Sequence, residues 1–357
     1  MNLEKKHTVY REKKISGLQI HFEDIKPLID KLSPDLFQKT LLGYSERHIP
    51  IYSLQIGSGK KRIALWSQMH GDESTATKSM FDIFNYLQAE QEKAAVIKLL
   101  KACTFLFIPM LNPDGAARYT RENADKMDLN RDAIHLKTAE GRLLNRVILD
   151  FKPYFAFNLH DQSTYYSVAG THQSTVLAFL APAADISRKV TPPRAQAMQV
   201  IATMFRALQI HLPNQMARYD DSFNENCFGD YFQMRHIPTI LIESGYYPGD
   251  ETREITRTYH FIALLTALEA IATNQLLDSK PYFDIPMNVK NYYDCLLRNV
   301  IFNGKRTQIA YRYEYKLQKN GLHRVIDQDS LLFGNQITNQ LFHKVIDANG
   351  RSFDQFS

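Results

Sequence analysis

Cysteine is almost missing from the sequence: Cys103, Cys227 and Cys295 are widely spaced and form no C-x-x-C pair. That excludes a disulfide framework and a thiolate zinc knuckle, so any metal must be held by histidine and carboxylate. Long apolar runs are missing too. No segment reaches the about 18 apolar residues of a membrane span, and the opening "MNLEKKHTVYREKK" is charged where a secretory leader would be apolar. The expected location is cytoplasmic, with no membrane partner. Neither sign of charge dominates, since 43 basic residues against 38 acidic ones leave +5. The one basic cluster, Lys5, Lys6, Arg11, Lys13 and Lys14, is expected to be a solvated surface rather than a nucleic-acid patch. Internal repeats and low-complexity tracts are absent as well.

What is present is an ordinary globular composition. With 357 residues, 44% of them hydrophobic, the chain can bury one large core and a small second domain. Nothing in it sets an oligomeric state. After a polar opening, "TLLGYSERHIPIYSLQIGSGK" has the alternation of two short strands. "RIALWSQM" is a buried strand, and "STATKSMFDIFNYLQ" places Met80, Phe84 and Leu87 at helical spacing behind Ser and Thr caps. "CTFLFIPM" is the next strand, ended by the turn "NPDG". A helix "TAEGRLLNRVILDF", the strands "YFAFNLH" and "TVLAFLA", the helix "AQAMQVIATMFRALQI" and the strand "PTILIE" follow. A helix with Ile255, Tyr259 and Ile262 on its stripe closes the series.

Strands alternating with helices predict an α/β fold, a mixed and mostly parallel sheet with helices on both faces. Beyond about Leu277 the pattern turns Tyr-rich and short-period, with turns at Asn303-Gly304, Asn320-Gly321 and Asn349-Gly350 that suggest hairpins. The expected division is a catalytic domain over 1–276, with its core at about 40–275, and a small β-rich domain over 277–357.

In an open α/β sheet the ligand crevice lies beyond the carboxyl ends of the strands. Those ends carry His70, Asn112, His160 and Glu243. His70 and Glu73, three apart in a loop entering a helix, can turn toward one ion, and His160 can complete a three-ligand catalytic zinc set. Alone, H-x-x-E is a weak metal signal and fits a helix amino end better, because Asp72 and Glu73 favour one through the dipole. "NPDGAARYTRENADKMDLNRD" adds Arg118, Arg121, Asn130 and Arg131, where a guanidinium beside an amide suits a carboxylate and a second guanidinium an oxyanion. Glu243 ends an apolar strand, where partial burial would suit a general base.

The ordered set "HGDE", "NPDG", an arginine, "DLNRD", "FNLH" and "LIESG" resembles the M14 zinc carboxypeptidase family over about residues 40–275. The resemblance implies that His70, Glu73 and His160 bind one Zn²⁺ per chain. It implies that Glu243 is general base and then acid, that Arg121 polarises the scissile carbonyl, with Arg118 as second candidate, and that Asn130 and Arg131 clamp the substrate's terminal carboxylate. The activity implied is hydrolysis of the carboxy-terminal amide bond of a peptide. Two features depart from the digestive enzymes. Their tyrosine upstream of the catalytic glutamate has no clear counterpart in "ARYDDSFNENCFGDYF", where Asp220 and Asp221 stand near Tyr219 and Tyr231; Tyr246 and Tyr247 follow Glu243 instead, and Tyr246 is the expected substrate contact. The 90-residue interval from His70 to His160 is shorter, closer to the aspartoacylase and succinylglutamate desuccinylase branch. Its implied alternative is zinc-dependent deacylation of N-acyl amino acids. Phe228 and Asp230 are candidates for the specificity pocket, Asp230 suiting basic or amino-bearing substrates.

Overall fold

The computed structural model describes residues 3–356. The chain opens with two helices that its polar start conceals, α1 (Leu3–Tyr10) and α2 (Phe22–Lys31). Helix α2 buries Ile25, Leu28 and Ile29 at helical spacing, while α1 docks through polar groups that leave no apolar stripe to detect. The basic cluster is accordingly only partly solvated. Lys5, Lys13 and Lys14 are exposed, but the Lys6 ammonium lies 4.9 Å from the Tyr86 ring centre and Arg11 pairs with Glu254 at 2.6 Å.

Next come β1 (Gln38–Tyr44), β2 (Pro50–Gly57), β3 (Lys61–Trp66), α3 (Thr75–Ala89), α4 (Ala94–Ala102), β4 (Cys103–Ile108), α5 (Pro113–Arg118) and α6 (Ala139–Phe151). They are followed by β5 (Phe155–Asp161), β6 (Tyr166–Val168), β7 (Leu177–Leu180), α7 (Pro192–Leu208), β8 (Met216–Arg218), α8 (Phe228–Met234), β9 (Thr239–Ser244) and α9 (Glu254–Thr273). All of these strands except β6 join one sheet in the order β1-β2-β4-β3-β5-β9-β7-β8. Its middle is parallel, β4 with β3, β3 with β5 and β5 with β9, and antiparallel pairs flank it. Strand alternation sends Ile63 and Leu65 into a core shared with α3, α4, α7 and α9, and Ala64 and Trp66 into one shared with α6 and α8. Helices therefore cover both faces, as expected for α/β.

Several local expectations are corrected. "NPDG" does not stop at a turn: Asn112 accepts a bond from the Gly115 amide at 2.8 Å and caps the short helix α5. Ser74 caps nothing, since its hydroxyl donates to the Leu18 carbonyl instead. Helices α4 and α8 escape the pattern because both are short. On α9, Ile255 is 41% exposed, and burial runs around the helix from Thr256 to Ile271 because other elements enclose it. Among the described residues, no helix is long and apolar enough to cross a membrane.

Beyond the main sheet, β10 (Asn288–Lys290) pairs with β6. Strands β11 (Tyr292–Phe302), β12 (Lys305–Gln318), β13 (Gly321–Phe333) and β14 (Leu341–Asp347) form a separate sheet ordered β13-β12-β11-β14. Asn303-Gly304, with φ of 48° and 73°, turns β11 into β12. Asn320-Gly321 turns β12 into β13. Asn349-Gly350 makes no hairpin, since β14 runs parallel to β11 and the turn follows it.

One buried histidine gives this fold a pH dependence. His260 on α9 is wholly buried, with the Ser244 hydroxyl 2.6 Å from Nδ1 and no partner for Nε2. Burial pushes its pKa down from 6.5 to about 3. The unfolded chain binds a proton that the folded chain refuses, so stability is lost as pH falls from about 6.5 toward about 3. Urea unfolding should show the wild-type protein losing about 1.5 kcal/mol more than His260→Gln between about pH 6.5 and 5. Equal losses would remove His260 as the cause.

Candidate active site

The parallel strands β3, β5 and β9 lie side by side, so their carboxyl ends deliver side chains to one place. His160 on β5 stands opposite Glu243 on β9, and His70 follows β3 after a turn in which Gln68 has a φ of 47°. That turn is locked. The Gln68 amide donates to the Gly71 carbonyl at 2.9 Å, its oxygen accepts from Thr77 at 2.7 Å, and Asn112 donates to the Met69 carbonyl at 3.1 Å. Gly71 has to be glycine here, because a Cβ would stand 2.0 Å from the Gly115 carbonyl carbon. The "NPDG" helix is thus the buttress of the "HGDE" turn.

His70, Glu73 and His160 converge, with one ligating atom from each lying within 4.8 Å of the others. Glu73 Oε1 is 2.7 Å from His70 Nδ1 and Oε2 is 2.8 Å from His160 Nδ1, while the two Nδ1 atoms are 3.2 Å apart. Two imidazole nitrogens and a carboxylate turned on one point form the donor set of a cation site. His70 Nε2 lies 3.1 Å from Asp128 Oδ1, and an Nε2–H donated there leaves the Nδ1 lone pair free for a metal. The residues therefore fit zinc, whose catalytic sites use three such ligands and keep a position open.

Charge follows the same logic. Burial would lower the His70 pKa, but Glu73 and Asp128 outweigh it and push it up to about 9. His160 is held down by burial against the pull of Glu73. Glu73, despite burial, is held well below the usual carboxylate range by both histidines.

Arg121 reaches the cluster from the loop after α5. Its Nε donates to Asp128 Oδ2 at 2.9 Å, and its Nη1 lies 3.1 Å from His70 Nδ1 and 3.5 Å from Glu73 Oε1. Asn130 is buried, its side-chain oxygen accepting from the Phe228 amide at 2.9 Å; Arg131 is exposed and donates to the Asn130 carbonyl at 2.7 Å and to Cys227 Sγ at 3.2 Å. All three line a cleft of about 840 Å³ together with His70, Glu73, His160 and Glu243. Glu243 has no cationic side chain within ion-pair distance among the described residues. Burial, then the charge of Glu73, pushes its pKa up to about 8.

Two expected residues are not brought to this cleft. Arg118 turns away, donating to the carbonyls of Asn123 and Ala124. Tyr246 lines a separate hollow, packs on His343 and accepts a bond from the Gly249 amide. Of the other tyrosines, Tyr231 is buried against Phe228 and Phe232, but Tyr219 lines the cleft, its hydroxyl 3.2 Å from that of Tyr166. Burial and then Glu243 push the Tyr219 phenol pKa up. Asp230 also lines the cleft and is raised to about 7 by burial.

Asp128 carries no role in the sequence reading, although it stands inside "DLNRD". It links His70 and Arg121 and also caps the turn of residues 129–131 by accepting from the Asn130 amide at 2.8 Å. The signal available was an acidic residue opening a short polar turn.

Known proteins resemble this chain in sequence and in fold. Residues 25–190 match the zinc carboxypeptidase (M14 peptidase) family model. Probable carboxypeptidase 2 of Trichophyton verrucosum is 35% identical over 104 residues, 29% of this chain and 20% of that protein, and carboxypeptidase 2 of Trichophyton rubrum is 34% identical over the same share of this chain. The chain thus spans about a fifth of the length of these curated relatives. Among solved structures, a Burkholderia cenocepacia metallo-carboxypeptidase superposes with a TM-score of 0.59 at 14% identity, covering 72% of this chain and 70% of that one. Helicoverpa armigera carboxypeptidase A gives 0.57 at 14% identity, covering 76% and 80%. At such identities the structural likeness is one of fold. The chain therefore resembles the M14 zinc carboxypeptidase family in sequence over residues 25–190 and in fold more widely.

Proposed function

We propose that this chain is a zinc-dependent metallocarboxypeptidase that removes the carboxy-terminal residue of a peptide. The observation that carries the proposal is the convergence of His70, Glu73 and His160 in one cleft with Glu243, Arg121, Asn130 and Arg131. Residues 1–276 form the catalytic unit in this reading, and 277–357 a second one.

His70, Glu73 and His160 hold one zinc ion. Zinc in such a site supplies Lewis acidity, polarising a carbonyl and bringing the pKa of water toward neutrality. Arg131 and Asn130 bind the substrate's terminal carboxylate, the guanidinium by charge and the amide by its free N–H groups. That contact makes the enzyme exo-acting, because an internal peptide bond offers no carboxylate. Arg121 faces the charge that grows on the scissile oxygen. Glu243 takes the proton of the attacking water and returns it to the leaving nitrogen. Asp128 holds His70 and Arg121 in register, and Tyr219 stands over the cleft near Glu243.

Arg131→Ala should raise KM for a peptide acid by about 10- to 100-fold, the worth of one charge-assisted hydrogen bond. Steady-state kinetics would check it; an unchanged KM would remove Arg131 from the clamp. Deacylation of N-acyl amino acids would use the same residues, and the small size of the cleft suits it too. Hydrolysis of dipeptides beside N-acetyl and N-succinyl amino acids by zinc-loaded protein tests the proposal. Turnover confined to the acyl amino acids would overturn the peptidase reading.

A further inference from the structure

Strand β12 brings Tyr313, Glu314 and Tyr315 into the same cleft as the ligand cluster. One end of that cleft holds Arg131, in contact with Cys227. Elsewhere in its lining is Tyr119, which meets Tyr315 edge to face at 6.3 Å. A smaller hollow of about 70 Å³ adjoins this part, lined by Tyr119, Arg253, Tyr313 and Tyr315 but not by Asn130 or Arg131. The ligand cluster thus shares its cleft with Asn130 and Arg131 and with a tyrosine wall built by the carboxy-terminal sheet, and only the wall also borders the smaller hollow.

That wall is fixed in place. Asp294 accepts from the Thr164 hydroxyl at 2.9 Å with one oxygen and from the Tyr313 amide at 2.7 Å with the other. The Tyr165 hydroxyl donates to the Tyr313 carbonyl at 3.1 Å, and the Tyr292 amide donates to the Tyr165 carbonyl at 2.9 Å. The Arg312 guanidinium stacks 4.5 Å from the Tyr165 ring centre. These bonds tie β11 and β12 to the segment that follows His160, so the wall is not a swinging lid.

A cleft of about 840 Å³ has the size of a small-ligand site, about 300–1,000 Å³. An extended chain needs about 3.3–3.6 Å more for every added residue, and Tyr313 and Tyr315 line the cleft that the added length would have to share. We propose that the carboxy-terminal sheet is a length gauge: Tyr313 and Tyr315 close the acyl side of the cleft, so the enzyme takes short peptides and not long chains. This rests on the carboxypeptidase reading, which sets the direction in which substrate lies.

The test is equilibrium binding to zinc-loaded Glu243→Gln protein, using N-acetyl-Ala, N-acetyl-Ala-Ala and an N-acetylated alanine hexapeptide. The hexapeptide should bind about tenfold or more weakly than the dipeptide, a gap of about 1.4 kcal/mol. Adding Tyr315→Ala, or separately Tyr313→Ala, should shrink that gap to about twofold. Binding of the short ligands shows that each variant is folded, and either variant alone carries the test. A hexapeptide held as tightly as the dipeptide, or a gap that neither variant narrows, would overturn the gauge. No turnover of any peptide by the zinc-loaded wild-type protein would instead sink the carboxypeptidase reading, and the gauge with it, whereas turnover of the dipeptide with no binding gap would overturn the gauge alone.

Discussion

Glu243→Gln should lower kcat by about 10²- to 10⁴-fold, the contribution typical of a positioned general base. The carboxyl lies in the cleft opposite His160 with no cationic side chain bonded to it, so no structural ion pair explains its place at the end of an apolar strand. Burial and Glu73 push its pKa up to about 8, and a cation at the ligand cluster would favour the carboxylate and bring that value down. A cation at the cluster thus favours the unprotonated form that a base needs. Glutamine keeps the size and removes the proton acceptor. Zinc analysis and thermal unfolding should show metal content and stability close to wild type. Turnover within about a factor of ten of wild type would show that the proton is taken elsewhere.

The second large effect is on stability. Asp82→Ala should cost about 3–5 kcal/mol, the usual loss when one partner of a buried ion pair is removed. Both Asp82 and Arg257 are fully buried. The carboxylate accepts from Arg257 Nη2 at 2.5 Å and Nε at 2.7 Å, from the Glu12 amide at 2.8 Å, and faces His7 Nε2 at 2.9 Å. It therefore joins α3, α9 and the amino-terminal residues that the apolar pattern did not reveal. Without it the buried guanidinium keeps only Glu254, 3.1 Å from Nη1, as a counter-charge, and its Nε and Nη2 lose their carboxylate. Denaturant unfolding measures the difference; a change below about 1 kcal/mol would mean that water and the existing Glu254 pair suffice for Arg257.

The parallel heart of the fold was legible because buried strands such as "RIALW" and "FAFNLH" are continuous apolar runs, and the sheet's own rule then pointed to their carboxyl ends. His70, Glu73, His160 and Glu243 were found in that way, and the structure brings all four together. Arg118, the second candidate, is not brought to the cleft, and the sequence could not separate it from Arg121 because one arginine in a polar loop looks like another until the chain turns. Only the fold shows that Arg121 points at His70 while Arg118 bonds carbonyls of its own loop. Tyr246 is not brought to the cleft either, because three residues beyond Glu243 the chain has left the strand end and packs the ring on His343. Asp128 was in view without a role, its partners lying 58 and 7 residues away. The tyrosine wall was not legible, because contacts across more than a hundred residues, such as Tyr165 with Tyr313, leave no periodic mark.

Mass spectrometry can put the central claim to the test with two peptides of identical sequence, one ending in a free carboxylate and one in a carboxamide. Zinc-loaded protein should remove one residue from the carboxy-terminal end of the first and leave the second intact, and Glu243→Gln should leave both intact. Equal cleavage of the two peptides, or cleavage of neither by protein shown to carry zinc, would contradict a metallocarboxypeptidase built on His70, Glu73 and His160.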